Sequence, residues 1–148
     1  MTREETLKAI DEATTSHEYQ MNKIKSLIEG SEIKEPPMVD KTKCQLGLWL
    51  YNEDNHIKEI LGAQFFDNLE EAHARWHYEY SQIFDIYYKN RKKGFFSKLI
   101  GSDKIEDMEI DKAKLYHYDL ISTSQNLFKS LAASKRRISA MGDSKFNY

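Results

Sequence analysis

Residues 66–87 read FDNLEEAHARWHYEYSQIFDIY, and the order of apolar and aromatic side chains in this stretch decides the fold. Phe66, Leu69, His73, Trp76, Tyr80, Ile83 and Tyr87 recur in steps of three and four. At 3.6 residues per turn such positions stack into one stripe, so the stretch is expected to be a helix with one buried face. A strand would need a period of two, which no segment of useful length displays. The predicted helix covers residues 67–93 and stops before Gly94. His73 lies on the stripe and His77 borders it one turn later, which directs both imidazoles inward.

The neighbouring segments repeat the pattern. Residues 2–29 open with Thr2 and Glu5 at capping-box spacing and close at Gly30. Their inward stripe is Leu7, Ile10, Thr14, His17, Met21, Ile24 and Ile28, which places His17 on the buried side. Residues 31–39 form a loop, because Glu35 precedes Pro36 and the position before a proline is kept out of the helical region. Asp40 is a good N-cap for a shorter helix holding Cys44, Leu48 and Tyr51. Residues 52–64 are polar and broken, with one helical turn around Ile57 to Leu61. A last helix is expected over residues 103–141, with Asp103 and Glu106 at its cap. Its stripe is Ala113, His117, Leu120, Ser124, Leu127, Leu131, Ser134 and Ile138. Three long helices and one short one predict an all-α protein, an antiparallel four-helix bundle with a short Cys-bearing helix. It is read as one domain over residues 1–148, with 142–148 as a flexible tail.

Composition narrows the function. The 148 residues carry 22 Lys+Arg against 24 Asp+Glu, a formal charge of -2, so no nucleic-acid partner is expected. Mean hydropathy is -0.73 and no run approaches the roughly 20 apolar residues of a membrane span, so no membrane partner is expected either. The opening MTREETLKAI has charges where a signal peptide needs an apolar core, and the single Cys44 cannot form an internal disulfide. These features predict a cytoplasmic protein.

The chemistry-bearing residues are few. His73 and His77, four apart on one helix, can present two imidazoles to a single ion. His17 is a second inward donor, and Cys44, in the first turn of its helix, sits where the helix dipole favours a thiolate. Three imidazoles and one thiolate suit tetrahedral zinc, and not calcium or magnesium, which take oxygen donors. Taken singly, each residue has a plain reading as packed core. Together they would place several unpartnered polar groups in one small interior, which is costly.

The segment Cys44-Gln45-Leu46-Gly47-Leu48-Trp49-Leu50 resembles the Cys-x-Leu-Gly-x-Trp signature of the chemoreceptor zinc-binding (CZB) domain family. That family completes its site with an upstream helical histidine and a downstream His-x3-His. Here His17 stands 27 residues before Cys44, and His73 with His77 begin 29 after it. The resemblance spans about residues 10–140. It implies a helical bundle holding zinc through three His and one Cys, a regulatory module and a homodimer. It also implies a chemoreceptor or diguanylate cyclase as signalling partner, although the chain has no signalling hairpin and no cyclase motif. The chain is therefore either free-standing or an excised fragment.

Other assignments are weaker. A hemerythrin- or ferritin-like di-iron bundle would need Glu-x-x-His motifs on two helices; Glu70 precedes His73 by three, but Cys44 would be a strange ligand in such a site. A zinc hydrolase is disfavoured, because His73-Ala74-Arg75-Trp76-His77 lacks the glutamate base beside the first histidine. No enzymatic activity is expected. His56 is read as exposed, His117 as a reserve ligand or outer donor, and Trp49 and Trp76 as core. The basic runs 89–93 and 135–137 are read as solvated helix ends.

Overall fold

A computed structural model describes residues 1–89 and 105–148. Among these residues there are five α-helices and no strand. Helix α1 (Arg3–Ile28) begins where Thr2 accepts from the Glu5 amide while the Glu5 carboxylate accepts from the Thr2 amide, the full capping box. Such a cap stabilises a helix by about 1 kcal/mol. Helix α2 (Gln45–Leu50) and helix α3 (Ile57–Leu61) are short. Helix α4 (Ala63–Phe84) continues into a π-helical turn at Asp85–Lys89, and helix α5 (Asp107–Ser139) is the longest.

Side-chain contacts fix the directions. Arg3 at the start of α1 donates to the carbonyl of Met141 just past α5, and Lys135 pairs with Asp11. Arg137 donates to the carbonyl of Leu61 and stacks on Phe65 at the start of α4. Helix α5 therefore runs antiparallel to both α1 and α4, which run parallel to each other. Residues 29–62 bring the chain back from the end of α1 to the start of α4, with α2 packed on α1 and α3 on α4 and α5. Gly62 joins α3 to α4 with φ 81°, a backbone conformation that favours glycine.

The α4 and α5 stripes are buried as read, from Leu69 to Tyr87 and from Ala113 to Ile138, apart from the half-buried Phe66 and His117. The α1 seam is rotated by about one position: Thr6, Ile10, Ala13, His17, Ile24 and Leu27 are buried, while Leu7, Thr14, Met21 and Ile28 are only partly so. Helix α1 packs on α5 and α2 at once, so its buried arc is centred between two partners. One polar layer crosses the long helices: Trp76 Nε1 donates to Ser124 Oγ (2.9 Å), whose hydroxyl donates to Met21 Sδ (3.0 Å).

Several boundaries differ from the sequence reading. Asp40 caps an isolated turn through Thr42, and Cys44 is itself the N-cap of α2. The inward face of α2 is consequently Leu46, Trp49 and Leu50, and Leu48 is 64% exposed. Helix α4 starts four residues earlier than expected, and α5 starts at Asp107 with Glu106 at the cap but no side-chain bond there. Asp103, Gly94 and most of the basic run 89–93 lie outside the described residues. Within residues 142–148, Asp143–Phe146 forms a 3₁₀ turn with Phe146 buried, and Tyr148, itself largely exposed, stacks on His56 at 4.3 Å. His56 is correspondingly half-buried, where exposure was expected.

Candidate metal centre

Helix α4 presents His73 and His77 on one face, with ring centroids 4.6 Å apart. Helix α1 brings His17 to 5.4 Å from His73 and 5.8 Å from His77. The three rings are nearly perpendicular to one another, at 79° to 87°. Trp76 closes the inner wall, 4.7 Å from His17 and 4.9 Å from His77. It is core, as read, and also one side of the site.

Cys44 completes the group. Its Sγ lies 3.1 Å from His73 Nε2 and 4.0 Å from His17 Nε2. As the N-cap of α2 it also accepts from the Gly47 amide at 3.3 Å. Gly47 is required by close approach, since a Cβ there would lie 1.8 Å from the Lys41 carbonyl oxygen. Its bare backbone lets the turn at 41–43 fold against α2 and set the sulfur over the histidines. One donor atom from each of His17, Cys44, His73 and His77 falls within 4.8 Å of all the others. Tetrahedral zinc with N and S ligands sets donor separations near about 3.3–3.8 Å, which the two sulfur distances bracket.

Hydrogen-bond partners orient the rings. His77 Nδ1 is 3.0 Å from the Val39 carbonyl, so that nitrogen carries the proton and donates it. His77 Nε2 is buried with no hydrogen-bond partner in the protein. An unmet buried acceptor costs about 1–3 kcal/mol, which a coordinated cation would remove. The donor set and this orphaned nitrogen fit a thiophilic ion such as zinc. Among the described residues no carboxylate joins the group: Glu70 instead accepts from Tyr51 and pairs with Lys41 at 2.6 Å. The di-iron spacing read at Glu70 and His73 is therefore used differently. His117 is also absent from the group, lying instead near Lys25 and Glu29 at the far end of α1.

Burial governs the protonation states. Desolvation, with a smaller push from His77, drives His17 down to about 3. Desolvation and the neighbouring His77 drive His73 to about 2, and desolvation also lowers His77. All three imidazoles are thus neutral and ready to ligate at neutral pH. The thiol behaves differently from the sequence expectation. Burial raises the Cys44 pKa, outweighing the Gly47 and Leu46 amides that lower it. A six-residue helix does not supply the thiolate; a bound cation would, by displacing the proton outright.

Residues 39, 41, 51 and 70 are the parts that sequence reading did not assign to the site. Glu70, one turn before His73, carried the only available signal. Fold and site together define a helical bundle with a His3Cys group, between α1, α2 and α4, that is positioned to hold a metal ion. Residues 17–84 match the family model of the chemoreceptor zinc-binding domain, a span that opens on His17 and contains the other three donors. The resemblance read around Cys44 is borne out over that stretch. No curated protein and no solved structure matches the chain. Among the described residues no helix is long and apolar enough to cross a membrane.

Proposed function

We propose that this chain is a zinc-binding regulatory module in which His17, Cys44, His73 and His77 hold one zinc ion. The observation that carries the reading is the convergence of three neutral imidazoles and one thiol, from three separate segments, on a single point. Four protein donors fill a tetrahedral shell, so the centre works by binding and not by turning over a substrate. Zinc occupancy fixes α2 against α1 and α4, and loss of the ion frees it. The family match supports a sensory role, and a chemoreceptor or a diguanylate cyclase is the output proposed for it.

Cys44 is the oxidant-sensitive donor. Its sulfur attacks the O–O bond of a peroxide: an S–O bond forms, the O–O bond breaks, and the departing hydroxide is protonated to water. The thiolate loses two electrons, the peroxide gains them, and the resulting sulfenic acid is a poorer zinc ligand. An unpaired thiol of this kind suits the reducing cytoplasm. Exposed Tyr78, Leu115 and Tyr118 offer apolar surface for a second copy of the chain.

Native mass spectrometry of the whole chain tests these points together. The expected result is a dimer with one zinc per chain that, after peroxide, gains one oxygen per chain and loses the metal. A chain purified without zinc that takes none up, or one in which Cys44→Ala binds zinc as tightly as before, would sink the reading.

A further inference from the structure

We propose that Lys41, Glu70 and Tyr51 form a proton-ordering relay that holds His73 as the Nδ1–H tautomer, so that its Nε2 lone pair is permanently presented to the metal. The inference rests on the reading of the four-donor group as a zinc centre, and assigns it a positioning apparatus beyond its ligands.

The proton positions follow from the partners of each group. Lys41 Nζ lies 2.6 Å from Glu70 Oε1, and the carboxylate of this ion pair can only accept. The Tyr51 hydroxyl is hydrogen-bonded to the other oxygen, Glu70 Oε2. A phenol has one proton, and a carboxylate is the stronger acceptor, so that proton points to Glu70. Tyr51 Oη is also 3.3 Å from His73 Nδ1. With its own proton committed, the oxygen can only accept there, so the imidazole proton must reside on Nδ1. Nε2 then carries the lone pair, and it is this nitrogen that stands 3.1 Å from Cys44 Sγ.

The relay is also mechanical. Tyr51 is the C-cap of α2, Cys44 its N-cap, and Lys41 belongs to the preceding turn. Glu70 and His73 are one turn apart on α4. The Tyr51 ring stacks on His73 at 6.0 Å and 29°, with the Lys41 ammonium 5.3 Å from the ring centroid. The same residues that choose the tautomer therefore clamp both ends of the Cys segment to the helix bearing two of the histidines. His77 has its counterpart in the Val39 carbonyl, whereas His17 Nδ1 is buried without a partner in the protein.

Metal-ligand partners of this kind are worth about 10–100-fold in affinity. Tyr51→Phe keeps the ring and removes the hydroxyl; Glu70→Gln keeps the shape and removes the charge that captures the phenol proton. Two measurements on the full chain decide the matter. Nitrogen NMR of the zinc-free protein should report His73 as a pure Nδ1–H tautomer, with the Nε2–H form gaining population in both variants. Zinc affinity, read by competition with a chelator, should fall at least about 10-fold in Tyr51→Phe. A wild-type His73 protonated on Nε2, variants with an unchanged tautomer, or wild-type affinity in Tyr51→Phe would each overturn the relay. A wild-type chain that binds no zinc would instead refute the zinc reading, while the tautomer measurement would still judge the relay.

Discussion

Replacing His77 by alanine should lower zinc affinity by more than about a hundredfold, since loss of an outer partner alone costs about 10–100-fold. His73→Ala should behave alike. Both rings leave one rigid helix, and both have their far nitrogens engaged, by Val39 and by Tyr51. Little ordering cost remains to be met when the ion arrives. Cys44→Ala should cost less at neutral pH, because burial raises the thiol pKa and zinc must first displace its proton. Isothermal titration of the three variants against zinc checks the order. A larger loss for Cys44→Ala than for either histidine variant would contradict it.

Acid should unfold the metal-free chain. His17 and His73 have folded-state pKa values of about 3 and about 2, while in the unfolded chain each returns to near about 6.5. Between these limits the unfolded state binds more protons than the folded one, so stability rises with pH. The contribution is complete above about pH 6.5 and is lost progressively as pH falls below it. Two such histidines give a slope of up to about 2.7 kcal/mol per pH unit, and folded domains hold only about 5–15 kcal/mol in total. Helical circular dichroism of the zinc-free protein should therefore collapse between about pH 6 and pH 4. Stability that stays flat over that range would show that the imidazoles protonate in place. While the fold holds, only the thiol proton competes with zinc, so affinity should fall about tenfold per pH unit. That is shallower than a competition at all four ligands, which the residue types alone suggest.

The fold was legible because the stripes of α4 and α5 are built from residues with one plausible environment. Leu69, Trp76, Tyr80 and Ile83 have no role on a helix except burial, and all are buried. The α1 seam was less legible, since Leu7 and Thr6, or Ile28 and Leu27, are adjacent candidates and periodicity does not say how many partners a helix has. The Cys segment was misplaced for a related reason. Asp40 is the better N-cap by side-chain preference, but Gly47 allows the Lys41 carbonyl to approach and Cys44 to take the cap. The four donors could be found from spacing and residue type. Their outer partners could not, because Lys41, Tyr51 and Glu70 meet only when residues 29–62 fold back, and no local pattern records that meeting.

That excursion has a consequence for how the chain is constrained. His17 to Cys44 is a separation of 27 residues and Cys44 to His73 one of 29, so the donors divide the chain into two nearly equal arcs. An ion gripped by all three points would close both arcs at once. By the chain-entropy reckoning used for covalent cross-links, each closure of that length restricts the unfolded ensemble by about 3.5 kcal/mol. The long helices need none of this, since their shared apolar faces hold them together. The beneficiary is the stretch between them, whose backbone forms few helical turns of its own. Zinc in this protein would thus act less as a keystone of the bundle than as a rivet through its return path, and removing it should slacken two loops and leave the frame standing.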